Sequence, residues 1–238
     1  MNFSLRSLNA TEASYPLASA WNSFYRREPD GNRHRTENYK AASIHFRSGH
    51  ETTAVALTWT WYLLTQHREI YQQLQREVDS VLEGRVPTYQ DMARLPYCLQ
   101  VFKEAMRLYP PVPVFSRAAL HDIVINNYLL RQGQAVFLAP YTLHRRTDSF
   151  LDPERFDPER FSEANEQRLP RGAYLPFGED SRICIGKHFA LLEGPLLLAT
   201  LAQRVTFELV PGQHIVPDLR KTAALRPSHG IKVIVRRR

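Results

Sequence analysis

A single cysteine at the start of a long apolar segment constrains this chain more than any other feature. Cys184 follows an aromatic- and glycine-bearing loop, and the 185–205 segment directly after it has the composition of a helix. A cysteine there stands at a helix N-terminus, where unpaired backbone N–H groups and the positive end of the helix dipole favour an anion. The sequence therefore predicts a thiolate that is available as a nucleophile or as a metal ligand.

Three interpretations of Cys184 follow from the residues alone. The first is an ordinary buried cysteine, because free cysteine usually behaves as a small apolar residue. The second is a nucleophile with His188, four residues on, as its base. The third is a ligand to an iron porphyrin, which requires one thiolate, close backbone approach and a cation for a propionate. Gly178 and Gly186 allow that approach, and Phe177 can pack against a flat partner.

The residues around the cysteine carry a specific pattern, Phe177-Gly178-x-x-x-Arg182-x-Cys184-x-Gly186. This pattern resembles the haem-binding loop of the cytochrome P450 family of haem-thiolate monooxygenases. The resemblance implies that Cys184 is the axial ligand of the haem iron and that the other four residues bind the cofactor. One position departs from the family pattern, because Asp180 stands where a second glycine is usual. Aspartate tolerates the left-handed backbone conformation better than most residues.

A second motif lies inside a helix predicted over 37–64, where the chain reads Ser48-Gly49-His50-Glu51-Thr52-Thr53. Glycine and adjacent threonines are poor helix formers, and alone they favour a helix bent by a threonine that bonds to the preceding turn. The segment also resembles the long central helix of the same family, on the distal side of the haem. The resemblance implies that Gly49 opens a groove for dioxygen. It also implies that Glu51 and Thr52 are the acid–alcohol pair that delivers protons.

A third motif is the pair Glu104 and Arg107, three residues apart on one face of a predicted helix. Taken alone, the pair predicts a weak surface ion pair. Its continuation into a proline-rich turn resembles the ExxR helix of the cytochrome P450 family. The resemblance implies that Arg160, in the second of two consecutive five-residue repeats over 152–161, completes a buried cluster with this pair. It further implies that Arg117 reaches a haem propionate.

The fold class predicted from these patterns is mainly α with small β-sheets, and the resemblance implies the C-terminal half of the cytochrome P450 fold. Residues 1–36 show no clear hydrophobic periodicity, which predicts an irregular segment, whereas residues 37–238 would form a partial haem domain. Helices are predicted over 37–64, 66–82, 96–109 and 185–203. Strands are predicted over 115–119, 122–128, 135–138, 205–210 and 231–235. The helix after the cysteine is predicted to turn four side chains inward, namely Phe189, Leu192, Leu196 and Leu197.

Net charge and cysteine content limit the binding partners and the cellular compartment that the sequence predicts. The net charge of +7 over 238 residues suggests weak attraction to acidic partners. The sequence lacks a basic stripe interleaved with aromatic residues, so nucleic-acid binding is not predicted. The two cysteines provide no disulfide framework, which indicates a reducing, cytoplasmic compartment. Cys98 lies on the apolar face of a predicted helix and is expected to be inert. No apolar segment is long enough to predict a membrane span.

The activity implied by the resemblance is that of a soluble, bacterial-type monooxygenase. It would insert one atom of dioxygen into a small apolar substrate, with haem b as cofactor and electrons from a ferredoxin- or flavodoxin-type reductase system. The alternative is an inactive remnant that binds haem weakly or not at all. Family members are close to twice as long, so we expect the N-terminal half of the fold to be missing. Exposed apolar surface at 59–64 and around Phe189, poor solubility and weak turnover are then expected.

Overall fold

The computed structural model describes residues 33–219 and 224–238, with side chains from residue 49 onward. These residues are mainly helical with small antiparallel sheets, which confirms the predicted fold class. The α-helices are α1 (Arg33–Gln66), α2 (Arg68–Leu82), α3 (Pro96–Leu108), α4 (Pro140–Leu143), α5 (Glu163–Glu166) and α6 (Lys187–Arg204). Short 3-10 helices cover Tyr89–Arg94, Pro158–Phe161 and Asp180–Arg182. The strands are β1 (Phe115–Ala118), β2 (Ile123–Ile125), β3 (Tyr128–Leu130), β4 (Ala135–Leu138), β5 (Val205–Leu209) and β6 (Val233–Arg237).

The N-terminal boundary of α1 differs from the prediction. The helix begins at Arg33, ahead of the predicted start at residue 37. The irregular segment predicted over 1–36 therefore lies outside the described residues except at its last positions. Across 33–219 and 224–238, no helix combines the length and the apolar character that crossing a bilayer requires.

The core forms where α1, α2, α3 and α6 pack together. Side chains on one face of α2 repeat at helical spacing and are all buried, namely Tyr71, Leu74, Val78 and Leu82. They meet the apolar face of α3, on which Cys98 is fully buried. Burial raises the pKa of the Cys98 thiol, so that this cysteine stays protonated. This environment agrees with the inert role expected for it.

The inward face of α6 differs from the prediction. The buried positions belong mostly to small residues, namely Gly194, Pro195, Leu198, Ala199 and Ala202. Phe189 is instead 61% exposed and Leu197 is 42% exposed, while Leu192 and Leu196 are half-buried. At Gly194 the reason is close helix packing, because a Cβ atom there would lie 2.3 Å from the Phe102 ring of α3. The prediction followed hydrophobic size, whereas the packing selects small residues.

The strands pair as antiparallel hairpins, with β1 on β4, β2 on β3 and β5 on β6. The single strand predicted over 122–128 is wrong, because the chain reverses inside it. Asn126 (φ 45°) and Asn127 (φ 69°) both adopt the left-handed conformation and connect β2 to β3. Two consecutive left-handed residues form the tight turn that matches the twist of a hairpin, and asparagine tolerates this conformation well.

The C-terminal part of α1 is anchored by an aromatic side chain. Trp59 is fully buried, its indole N–H donates to the Leu225 carbonyl at 2.6 Å, and its ring stacks on Tyr109 at 4.0 Å. Leu64 is also fully buried. The expectation of exposed apolar surface at 59–64 is therefore wrong, because the terminal segment after residue 223 covers Trp59, while Leu63 and Leu64 pack into the core with α2, α3 and α6. Exposed apolar surface does occur around Phe189, as expected.

The contact between α6 and α3 gives a first testable prediction. A Cβ atom placed on Gly194 would lie 2.3 Å from the Phe102 ring, so Gly194→Ala forces the two helices apart. We expect this substitution to lower the free energy of unfolding by about 1–3 kcal/mol in urea denaturation, as overpacking generally does. Gly49→Ala is the matched control, because a Cβ there meets no atom within 4 Å. The control should be neutral or stabilising, and equal effects of the two substitutions would contradict the packing described.

Candidate functional site

The pair Glu104 and Arg107 lies fully buried on α3. Helical spacing puts both side chains on one face, and the guanidinium donates twice to the carboxylate, from Nε at 2.7 Å and from Nη2 at 2.8 Å. The Asp157 backbone N–H also donates to Glu104 at 2.9 Å, and Arg160 Nε lies 3.5 Å from the same oxygen. The structure thus brings the three predicted cluster residues together, in the interior rather than at the surface.

The other donors of Arg107 are satisfied by backbone carbonyls. They reach His144 at 2.9 Å, Pro153 at 2.7 Å and Arg155 at 3.1 Å. The first five-residue repeat supplies two of these acceptors, whereas the second supplies the amide and the guanidinium on the carboxylate side. The sequence had assigned a role only to the second repeat. Every residue has a backbone carbonyl whatever its side chain, so no sequence signal could have identified these acceptors.

The carboxylate of Glu104 experiences opposing effects. Burial raises its pKa above the ordinary value, whereas Arg107, the Asp157 N–H and Arg160 lower it. Removing one charged partner from such a site leaves the other charge buried and unpaired, which is strongly destabilising. The cluster therefore fixes the 153–160 segment rigidly against α3.

The cysteine loop (175–186) precedes α6 and is closed by its own backbone. The Cys184 N–H donates to the Phe177 carbonyl at 2.8 Å. Gly178 (φ 71°) and Asp180 (φ 60°) both adopt the left-handed conformation. Asp180 therefore takes the backbone shape that the usual glycine would take, at a modest steric cost that aspartate tolerates.

The loop presents Cys184 to solvent and keeps the space beside it free of side chains. Cys184 is exposed, and the N-cap of α6 is Gly186. A Cβ on Gly186 would lie 3.8 Å from the Cys184 Sγ, and a Cβ on Gly178 would lie 3.8 Å from the Arg182 carbonyl. Either side chain would fill part of the cradle around the sulfur and the turn before it. Glycine at both positions therefore lets a bulky partner approach the backbone.

Two arginines lie at the cysteine loop. Arg117 is on β1, and its Nη2 would be 4.0 Å from a Cβ on Gly178. Its guanidinium lies over the Phe115 ring at 4.9 Å and donates to the Ser116 carbonyl at 2.9 Å. Arg182 ends the 3-10 helix of the loop and is exposed. Within the described part of the chain, neither guanidinium forms an ion pair with a carboxylate, and both can therefore bind an external anion.

The three residues predicted on the distal side lie together on α1. Gly49 is exposed, and Glu51 and Thr52 are half-buried. Glu51 pairs with Arg226, whose Nη2 and Nε lie 2.5 Å and 3.1 Å from one carboxylate oxygen. The threonine that bonds to the preceding turn is Thr53, which donates to the Gly49 carbonyl at 3.1 Å. The sequence did not predict Arg226 as a partner, because 175 residues separate it from Glu51.

An apolar cluster joins α1, α3 and the cysteine loop. Its buried members are Ala56, Phe102 and Met106, and partly buried Leu57, Phe177 and Leu191 pack against them. Ala56 lies one helical turn after Thr52, so the α1 motif and the loop meet across this cluster. The nucleophile interpretation of Cys184 gains no support from the geometry, because no hydrogen bond joins His188 to Cys184 within the described residues.

A match to the model of a known protein family shows to which family the chain belongs. The model of the cytochrome P450 family matches residues 25–235, which is most of the chain. The chain belongs to the cytochrome P450 family. The three motifs described above all lie inside the matched region.

Individual proteins resemble the chain in sequence and in structure. Cyclooctatin synthase of Streptomyces melanosporofaciens is 42% identical over 170 residues, which cover 71% of this chain and 37% of that protein. The chloroplastic carotene epsilon-monooxygenase of Arabidopsis thaliana is 38% identical over 197 residues, which cover 80% of this chain and 36% of that protein. The crystal structure of the cytochrome P450DA haem domain has a TM-score of 0.75 and 34% identity, covering 79% of this chain and 41% of that one. This P450 chain thus spans about two fifths of the length of these proteins.

The donor set of this P450 chain fits a haem. Cys184 offers a soft, exposed sulfur of the kind that haem iron accepts. The glycine cradle beside it has space that a Cβ at either position would fill. Arg117 and Arg182 supply cations beside the loop, and Phe177 supplies an aromatic ring. These residues match a flat, dianionic iron porphyrin in charge, shape and ligand type.

The buried cluster gives a second testable prediction. Glu104→Gln leaves Arg107 buried without its counter-charge, so we expect the free energy of unfolding to fall by about 3–5 kcal/mol. A double-mutant cycle between Glu104→Gln and Arg160→Lys should show a coupling energy of about 0.5–3 kcal/mol in urea denaturation.

The control for this cycle is the exposed pair Glu208–Arg236 on β5 and β6. Its coupling should be small, because solvent screens surface ion pairs. Strict additivity between Glu104→Gln and Arg160→Lys would contradict the assignment of the three side chains to one cluster.

Proposed function

We propose that this P450 chain carries the haem-binding and proton-delivering parts of a haem-thiolate monooxygenase. The enzyme would insert one atom of dioxygen into an apolar organic substrate. The observation that carries the proposal is the exposed Cys184, placed before α6 in a loop whose glycines leave room for a flat partner. Haem iron with a thiolate ligand supplies the oxygen chemistry when it is bound, because thiolate donation favours O–O cleavage.

The loop residues have separate roles in holding the cofactor. Cys184 would be the axial iron ligand, and Gly178 and Gly186 would allow the backbone to approach the ring. Phe177 would pack against the porphyrin face. Arg117 and Arg182 would bind the propionates through charge-assisted hydrogen bonds. The cofactor would be haem b, as membership of the family implies.

The α1 residues would move protons toward the site. Glu51 has a side chain that is 34% exposed beside Arg226, so solvent can reach the site from this side. The Thr52 hydroxyl, one residue on, would carry a proton inward by hydrogen bonding. Gly49 would keep a groove open for dioxygen, since no side-chain atom occupies its surroundings in the described residues.

The substrate and the electron donor are proposed at the level of chemical class. The related carotene epsilon-monooxygenase is named for an apolar substrate, which supports an apolar substrate here. A net charge of +7 supports docking of an acidic protein, and we assign electron supply to a ferredoxin- or flavodoxin-type reductase system.

The absorption spectrum of the full chain tests this function. With haem added, reduced and bound to carbon monoxide, the chain should show the Soret band typical of a thiolate ligand. Cys184→Ser should abolish that band, because an alcohol oxygen replaces the sulfur. Cys98→Ala is the matched control and should retain it, since Cys98 is fully buried in the core.

Two outcomes would contradict the proposal. An unchanged spectrum in Cys184→Ser would show that another group ligates the iron. A wild-type chain without any thiolate-type band would favour the alternative of an inactive remnant that binds haem weakly or not at all.

A further inference from the structure

A buried histidine links the Glu104–Arg107 cluster to the cysteine loop. His144 directly follows α4 and has no exposed surface. Its Nδ1 lies 3.2 Å from the Arg107 carbonyl, and its Nε2 accepts the Leu175 backbone N–H at 2.8 Å. One imidazole ring therefore joins the end of α3 to the first residue of the cysteine loop. None of the sequence motifs includes this residue.

The hydrogen bonds of His144 require one tautomer. A backbone N–H can only donate, so Nε2 must be unprotonated and Nδ1 must carry the proton that it donates to the Arg107 carbonyl. Burial lowers the pKa of His144 to about 4, and the nearby charges of Arg107 and Arg145 also lower it. The ring is therefore neutral at neutral pH and keeps Nε2 available as an acceptor.

Arg107 and His144 hold each other reciprocally. The guanidinium donates to the His144 carbonyl at 2.9 Å, while the imidazole bonds to the Arg107 carbonyl. Because Glu104 fixes the guanidinium, the same carboxylate also fixes the histidine. The Glu104–Arg107 pair and the ring thus form one buried network in which the polar side-chain atoms of these three residues are all bonded, and such networks are rigid.

The residue before the loop, Tyr174, is also tied to α3. The Tyr174 hydroxyl donates to the Lys103 carbonyl at 2.9 Å, and its ring lies 5.2 Å from the His144 ring. The Leu175 carbonyl accepts the Gly178 N–H at 3.2 Å, so both polar groups of the Leu175 backbone are bonded. The loop then continues through Phe177, whose carbonyl accepts the Cys184 N–H.

We propose that His144 is a positioning residue for the cysteine loop, because its ring bonds the Leu175 backbone to the end of α3 and so helps to fix where Cys184 stands. The role of Cys184 as the iron ligand rests on the proposed function, whereas the attachment of the loop to α3 through His144 does not. His144 contacts neither cofactor nor substrate in this account, and it acts through the Leu175 backbone alone.

Two substitutions separate the two hydrogen bonds of the ring. His144→Gln is long enough to present an acceptor oxygen near the position of Nε2. His144→Asn is shorter, so it can replace the Nδ1 donor but leaves the Leu175 N–H without an acceptor. Both are neutral amides, and the pair therefore controls for the loss of the imidazole itself.

The first measurement is native-state hydrogen exchange of the full chain without haem. After correction for global stability, the Leu175 amide should exchange about 3- to 10-fold faster in His144→Asn than in wild type, since a net hydrogen bond is lost. In His144→Gln it should stay near the wild-type rate. Equal Leu175 exchange in the two variants would overturn the proposal.

The second measurement is the spectrum of the carbon monoxide complex of the haem-loaded chain. His144→Asn should convert part of the thiolate-type Soret band into the form without thiolate, whereas His144→Gln should retain the band. Changed exchange with identical spectra in both variants would overturn the positioning role and leave a purely structural bond. A wild-type chain without the band would refute the proposed function, and the exchange data alone would then decide whether His144 holds the loop.

Discussion

The buried ion pair between Glu104 and Arg107 is the interaction on which the rest of the structure depends. Removing two charges from water costs several kcal/mol for each ion, and only a full set of partners offsets that cost. The carboxylate needs the Asp157 N–H and Arg160, and the guanidinium needs three backbone carbonyls. Meeting these needs brings the 153–160 segment into a fixed position against α3, although its regular structure is limited to one short 3-10 helix. The main effect of the pair is thus to fix the position of the surrounding chain, and its own net contribution to stability is smaller.

The cysteine loop uses this rigid support to hold an exposed and strained conformation. Two left-handed residues, Gly178 and Asp180, shape a turn that is not favourable by itself. The loop is bonded at its start to His144 and packed at Phe177 against the apolar cluster, and it ends where α6 begins. Support from the interior therefore leaves Cys184 accessible without leaving it mobile. An accessible and fixed sulfur is what ligation of a large, flat cofactor requires.

The sequence predicted the features that depend on local spacing, and it failed where distant backbone groups decide. The spacing of Glu104 and Arg107 placed them on one face of α3, and the helices of the core were found within a few residues of their ends. The acceptors for Arg107 could not be found, because they are main-chain carbonyls 37, 46 and 48 residues away. The partner of Glu51 could not be found because it lies 175 residues away. The face of α6 was predicted wrongly, since close packing on Phe102 selects small residues over large ones. Asn126 and Asn127 were read as part of one strand, although two adjacent asparagines are a recognisable turn signal.

The central claim is that Cys184 provides the sulfur ligand to haem iron, and X-ray absorption at the iron edge tests it most directly. The full chain would be loaded with haem in the Cys98→Ala background, so that Cys184 is the one cysteine left of two. The account predicts one sulfur atom in the first coordination shell of the iron, and its loss when Cys184→Ser is added. A first shell with only nitrogen and oxygen in the parent, or a sulfur that persists after Cys184→Ser, would contradict it.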